Sequence, residues 1–103
     1  MFIYMEEILY NDKIGEWTYI GYGVGPFDFD FDDYVELYAS LYVTSERYIP
    51  KDYMSRSNNQ IDVMEIAISG GVHWQHTYLK YDPTNKKLSA TGENTAAITW
   101  YAR

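Results

Sequence analysis

Residues Phe27 to Val43 constrain the fold more than any other stretch, because two secondary-structure periods are written over each other there. Every odd position except Asp33 is apolar: Phe27, Phe29, Phe31, Val35, Leu37, Ala39, Leu41 and Val43. The even positions carry Asp28, Asp30, Asp32, Tyr34, Glu36, Tyr38, Ser40 and Tyr42. Such alternation sends the two sets to opposite faces of a strand. A helix can also be drawn from Asp33 onward. Asp33 and Glu36 have the spacing of a capping box, and Glu36, Ser40, Thr44 and Arg47 would line up as a polar stripe. Arg47 would suit the C-terminal end of the dipole, and Pro50 would stop the helix.

The residue types favour the strand. Val35, Val43, Thr44, Tyr34, Tyr38 and Tyr42 form helices poorly and strands well. A helix here would also be apolar around about two-thirds of its girth. Seventeen residues is long for one strand, so a bend or bulge is expected near Asp32 and Asp33.

Further strands are expected at Phe2–Tyr10 and Trp17–Val24, joined by a turn over Asn11–Gly15. Gly21, Gly23 and Gly25 share one parity, which would open a face where an aromatic ring or a backbone could approach closely. Pro26 and the aspartates follow them, so a phosphate-binding reading of these glycines fails: phosphate needs a helix N-terminus free of negative charge. Ser45–Gln60 reads as an irregular surface loop. Beyond it lie Ile61–Ile68, a Gly70-Gly71 hairpin loop, Val72–Tyr81, an Asp82-Pro83-Thr84-Asn85 type I turn, Lys87–Ala90, a turn at Thr91–Asn94, and Thr95–Ala102. The fold class expected is mainly β: one domain over residues 1–103, an antiparallel sandwich or barrel of six to seven strands. It would end in a four-strand meander. The alternative is α+β, the same sheet covered by one helix over residues 33–47.

The net charge of −7 is unevenly distributed. Residues 1–49 hold ten acids against Lys13 and Arg47, whereas residues 50–103 hold five acids against six bases. Nucleic acid and anionic membrane both require clustered Lys and Arg, so neither is an expected direct partner. A basic protein surface is expected instead. The absence of cysteine excludes disulfides and thiolate chemistry. The N-terminal Met1–Glu7 lacks a basic region ahead of an apolar run, so no secretory signal is expected. A cytoplasmic location is expected, or packaging in a particle assembled there.

No cofactor and no metal site is expected. Asp28, Asp30 and Asp32 open like a calcium loop, but Asp33 stands where that loop needs Gly and Ala39 where it needs Glu. On a strand the three carboxylates would project to one side about 6.6–6.8 Å apart, too far to share an ion. His73 and His76 would lie on opposite faces of a strand and cannot share a metal. No Ser-His-Asp order or nucleophile elbow can be assembled, which argues against an enzyme.

Twelve tyrosines in 103 residues cannot all be buried with satisfied hydroxyls. Tyrosine gives large contact area at low entropic cost, which suits recognition. The expected partner-binding set is therefore Asp28, Asp30, Asp32, Asp33, Tyr34, Glu36, Tyr38 and Tyr42; all but Asp33 share the even-numbered side, an acidic and aromatic face fitted to arginine-rich targets. Three functions follow in order: an inhibitor or immunity-type protein that covers a basic, for instance nucleic-acid-binding, surface; a structural subunit of a viral or other assembly, with homo-oligomerisation compatible; and a carbohydrate-binding domain that stacks sugars on Trp17, Trp74 or Trp100.

Overall fold

Two four-stranded antiparallel sheets face each other across one hydrophobic core in the computed structural model, which describes residues 15–41, 45–67, 73–92 and 98–103. The strands are β1 (Thr18–Tyr22), β2 (Phe27–Asp28), β3 (Glu36–Leu41), β4 (Ser45–Pro50), β5 (Gln60–Ala67), β6 (His73–Asp82), β7 (Lys87–Gly92) and β8 (Ile98–Ala102). The first sheet has the order β1-β8-β3-β4 and the second the order β2-β7-β6-β5. The mainly β, antiparallel expectation holds, with eight strands among the described residues.

The stretch from Phe27 to Val43 is neither one strand nor a helix. Asp28 ends β2, and a 3-10 turn over Phe31–Asp33 makes the expected bend. The Asp30 side chain caps that turn by accepting from the Asp32 backbone N–H at 3.0 Å. β3 then begins at Glu36, with Leu37, Ala39 and Leu41 buried on one face and Glu36, Tyr38 and Ser40 on the other. A helix over residues 33–47 is excluded, because Glu36–Leu41 is paired residue by residue with β4 and Leu37–Leu41 with β8.

Two other expectations are corrected. Ser45–Gln60 is not an irregular loop: it contains β4 and a short helix, α1 (Lys51–Arg56), seated at the end of β4. Pro50 precedes this helix, where its missing N–H costs nothing, and Asp52 and Arg56 sit at the dipole ends that favour them. The four-strand meander is also not formed. β5, β6 and β7 pair in sequence, but β8 crosses to the other sheet and lies between β1 and β3. Phe2–Tyr10 and Gly70-Gly71 fall outside the described residues.

The core draws from both sheets: Leu37, Leu41, Ile49, Ile98 and Trp100 from the first, Val63, Leu79 and Leu88 from the second. Phe29 and Phe31, between β2 and β3, close one end. They meet edge-on at 5.1 Å, each edge-on to Tyr81, whose hydroxyl accepts from the Phe31 backbone N–H. Gly21 admits the Phe27 ring against its backbone, as the glycine parity suggested, though the ring comes from this chain. No described helix is long and apolar enough to cross a membrane.

Candidate functional site

The outer face of the β1-β8-β3-β4 sheet carries a row of tyrosines, one per strand. The register sets Tyr19 opposite Tyr101, Tyr101 opposite Tyr38, and Tyr38 opposite Tyr48. Neighbouring ring centroids in the row are 5.5, 6.0 and 4.9 Å apart. Cross-strand aromatic pairs at this spacing stabilise the sheet they sit on. They also form a continuous apolar surface edged with hydroxyls.

A bulge in β1 extends the row. Between Tyr19 and Gly21 the register slips, so that Gly21 opposes Trp100 and Tyr22 opposes Thr99. Strict alternation would put Tyr19 and Tyr22 on opposite faces. The extra residue instead leaves both on the outer side, the usual consequence of a bulge. Tyr19, Tyr22 and Tyr48 are 56%, 60% and 58% exposed.

Trp17, just before β1, leans on the other end of the row. Its ring centroid lies 5.7 Å from Tyr38 and 6.1 Å from Tyr48, tilted by 57° and 54°. Trp17, Tyr38, Tyr48 and Tyr101 together line an open cleft of about 230 Å³. Arg103 places its guanidinium carbon 4.5 Å over the Trp17 ring and donates from Nε to Glu36 Oε1 at 2.6 Å. Glu46 stands opposite Ser40 in the β3–β4 ladder, one pair along from Tyr38 on the same face. Burial, with the Glu46 charge added to it, pushes the Tyr38 phenol above its ordinary range.

The eight residues expected to bind a partner are divided. Glu36 and Tyr38 are on the tyrosine face. Tyr34 stacks on Phe29 at 5.2 Å and belongs to the margin of the core. Asp28, Asp30 and Asp32 lie near the turn between the sheets, each beside a lysine. Asp28 pairs with Lys87 directly across the β2–β7 ladder, Asp30 with Lys86 at 2.8 Å, and Asp32 with Lys51 at 3.7 Å. The hydrogen bond from Lys86 is the main cause holding the Asp30 carboxyl below its ordinary range, with the Asp32 N–H second. Asp33 is exposed in the same turn, and Tyr42 lies outside the described residues. The aspartates and tyrosines are thus two clusters, the first largely balanced by lysines distant in sequence.

Sequence reasoning missed Tyr19, Tyr22, Tyr48, Tyr101 and Trp17 as one surface. The alternation of Tyr101 with Trp100 and Ala102 was visible, but only strand order shows that four strands contribute to one row. The second sheet presents an outer patch of its own. Trp74 and Met64 are exposed there, and His76 stacks with Tyr78 at 6.2 Å. Trp100 is fully buried, its indole N–H donating to the Gly23 carbonyl at 2.7 Å, so it cannot be a platform for sugars. Among the described residues no cluster of three His, Asp or Glu side chains could hold a metal ion. No protein-family model matches the chain, and no curated protein or solved structure matches it either.

Proposed function

We propose that this protein is a non-enzymatic interaction module, an acidic inhibitor or immunity-type protein that covers a basic surface on a partner protein. The in-register tyrosine row on the β1-β8-β3-β4 sheet is the observation that carries this reading. Rigid aromatic rings fixed by a sheet lose little entropy on binding and bury large area, which is the composition of an interface centre. Glu36 and Glu46 lie on β3 and β4 at the parity of Tyr38 and Tyr48, and the acidic N-terminal half adds a negative field that would speed encounter with a basic partner. The aspartates at 28, 30, 32 and 33 act in this scheme at long range, with the tyrosines making contact.

Affinity capture from the source organism at low and high salt tests the proposal. A basic protein should be retained at low salt and released at high salt, and a Tyr19→Ala/Tyr48→Ala variant should fail to retain it. Equal retention by that variant would contradict the proposed face. The exposed Trp74 and Met64 on the opposite sheet support a second reading, a subunit of a larger assembly. A stable ring or filament of the pure protein in a size measurement would favour that alternative.

A further inference from the structure

We infer that the cleft between Trp17, Tyr38, Tyr48 and Tyr101 is a socket for an arginine side chain of the partner. This rests on the proposed docking face and names what its centre recognises. Three observations converge. The four rings are tilted against one another by 48° to 57° in the contacts that join them, so they form walls, not one flat plate. The space between them, about 230 Å³, accommodates a planar guanidinium with part of its stem. Second, the protein already holds a guanidinium against this cluster: Arg103 lies over Trp17, outside the lining of the cleft. Its charge is taken up by Glu36.

Third, the carboxylate beside the cleft is available. Glu46 lies on β4 two residues before Tyr48 and opposite Ser40, its charge acts on the Tyr38 phenol, and among the described residues no Lys or Arg side chain pairs with its carboxylate. Arg47 donates only to the Glu46 backbone carbonyl. An incoming guanidinium would stack on the rings and donate to Glu46, satisfying an acceptor that otherwise faces water. Arginine suits this site better than lysine, because its plane stacks on aromatic faces and it gives up hydration more easily than an ammonium.

The test titrates the full chain with a capped Gly-Arg-Gly-Arg-Gly peptide and its citrulline counterpart, which keeps the shape and removes the charge. Aromatic NMR shifts report the binding. The arginine peptide should bind at least about fivefold more tightly than the citrulline peptide. Shifts should centre on Trp17, Tyr38, Tyr48 and Tyr101. Tyr48→Leu should abolish the preference, and Glu46→Gln should reduce it about threefold. Equal binding of the two peptides, or shifts centred on Trp74 and Tyr78, would overturn the inference. Tighter binding of a trimethyl-lysine peptide than of the arginine peptide would reassign the socket to quaternary ammonium and overturn it too. The comparison of the two peptides on the wild-type protein holds whether or not a variant folds. Partner capture that needs the tyrosine face, without an arginine preference, would refute the socket and leave the docking face standing. Capture indifferent to that face would refute both.

Discussion

Trp100 shows at a single position how chemistry is divided between core and surface. It shares β8 with Tyr101, and both side chains are amphipathic enough for either face. The ladder decides: Trp100 opposes Ala39 and Gly21, two small residues that leave room for an indole inside the sandwich. Trp100→Ala should destabilise the protein by about 3–5 kcal/mol in urea unfolding. Trp100→Phe should cost less but still about 1–3 kcal/mol, because the Gly23 carbonyl loses its donor. A loss below the lower figure for either variant would show that the indole is not the packing centre. Acid stability is also set by individual residues. Asp30 is held below its ordinary range chiefly by Lys86, and Asp82 chiefly by the Asn85 side chain. A depressed folded-state value means that each stabilises the fold above its unfolded value. That contribution disappears as pH falls through the folded one. Carboxyl-carbon NMR should find both carboxyls titrating low, with Asn85→Ala returning Asp82 toward the ordinary range and leaving Asp30 unchanged.

Among the elements, β1 and β4 carry the surface that the sequence hid. Alternation identified β3 because apolar residues occupy one parity without exception from Val35 to Leu41. The strand at β1 was expected, but its bulge changes parity midway and hid the face that Tyr22 takes; β4 was missed because Ser45 and Arg47 share the parity of the buried Ile49, so no apolar alternation shows. α1 escaped notice because one and a half turns carry no amphipathic signal, and Pro50 reads equally as a stop and a start. The close contact of Gly21 with Phe27 gives a test of the bulged strand. Gly21→Ala should cost about 1–3 kcal/mol because the ring must move. Adding Phe27→Leu should recover part of that loss, so the double variant is less destabilised than the sum of the singles. Strict additivity would mean the two positions are not in contact.

In the molecule as a whole, the crossing of β8 between β1 and β3 is what assembles four tyrosines into one row. Single-chain periodicity cannot supply strand order, so the tyrosine row was legible as composition and as Tyr38, but not as a place. That the aspartates lie apart from the tyrosines was hidden for the same reason. Their lysine partners lie more than fifty residues away for Asp28 and Asp30 and meet them only through the β2–β7 pairing and its turn. Charge nevertheless remains a property of the whole chain. Reversing Asp28, Asp30 and Asp32 to Lys changes the net charge from −7 to −1 and should slow association with a basic partner at least about tenfold at low salt. The dissociation rate should change little, since these residues are away from the tyrosine row; an unchanged association rate would remove steering from the account.

Hydroxyl-radical footprinting of the free and partner-bound protein tests the docking face most directly, because it reads the two outer faces in one sample. The account predicts that Tyr19, Tyr22, Tyr48 and Trp17 become protected in the complex while Trp74 and Met64 stay as reactive as in the free protein. Protection of Trp74 and Met64 with Tyr48 unchanged would contradict it and move the partner to the opposite sheet.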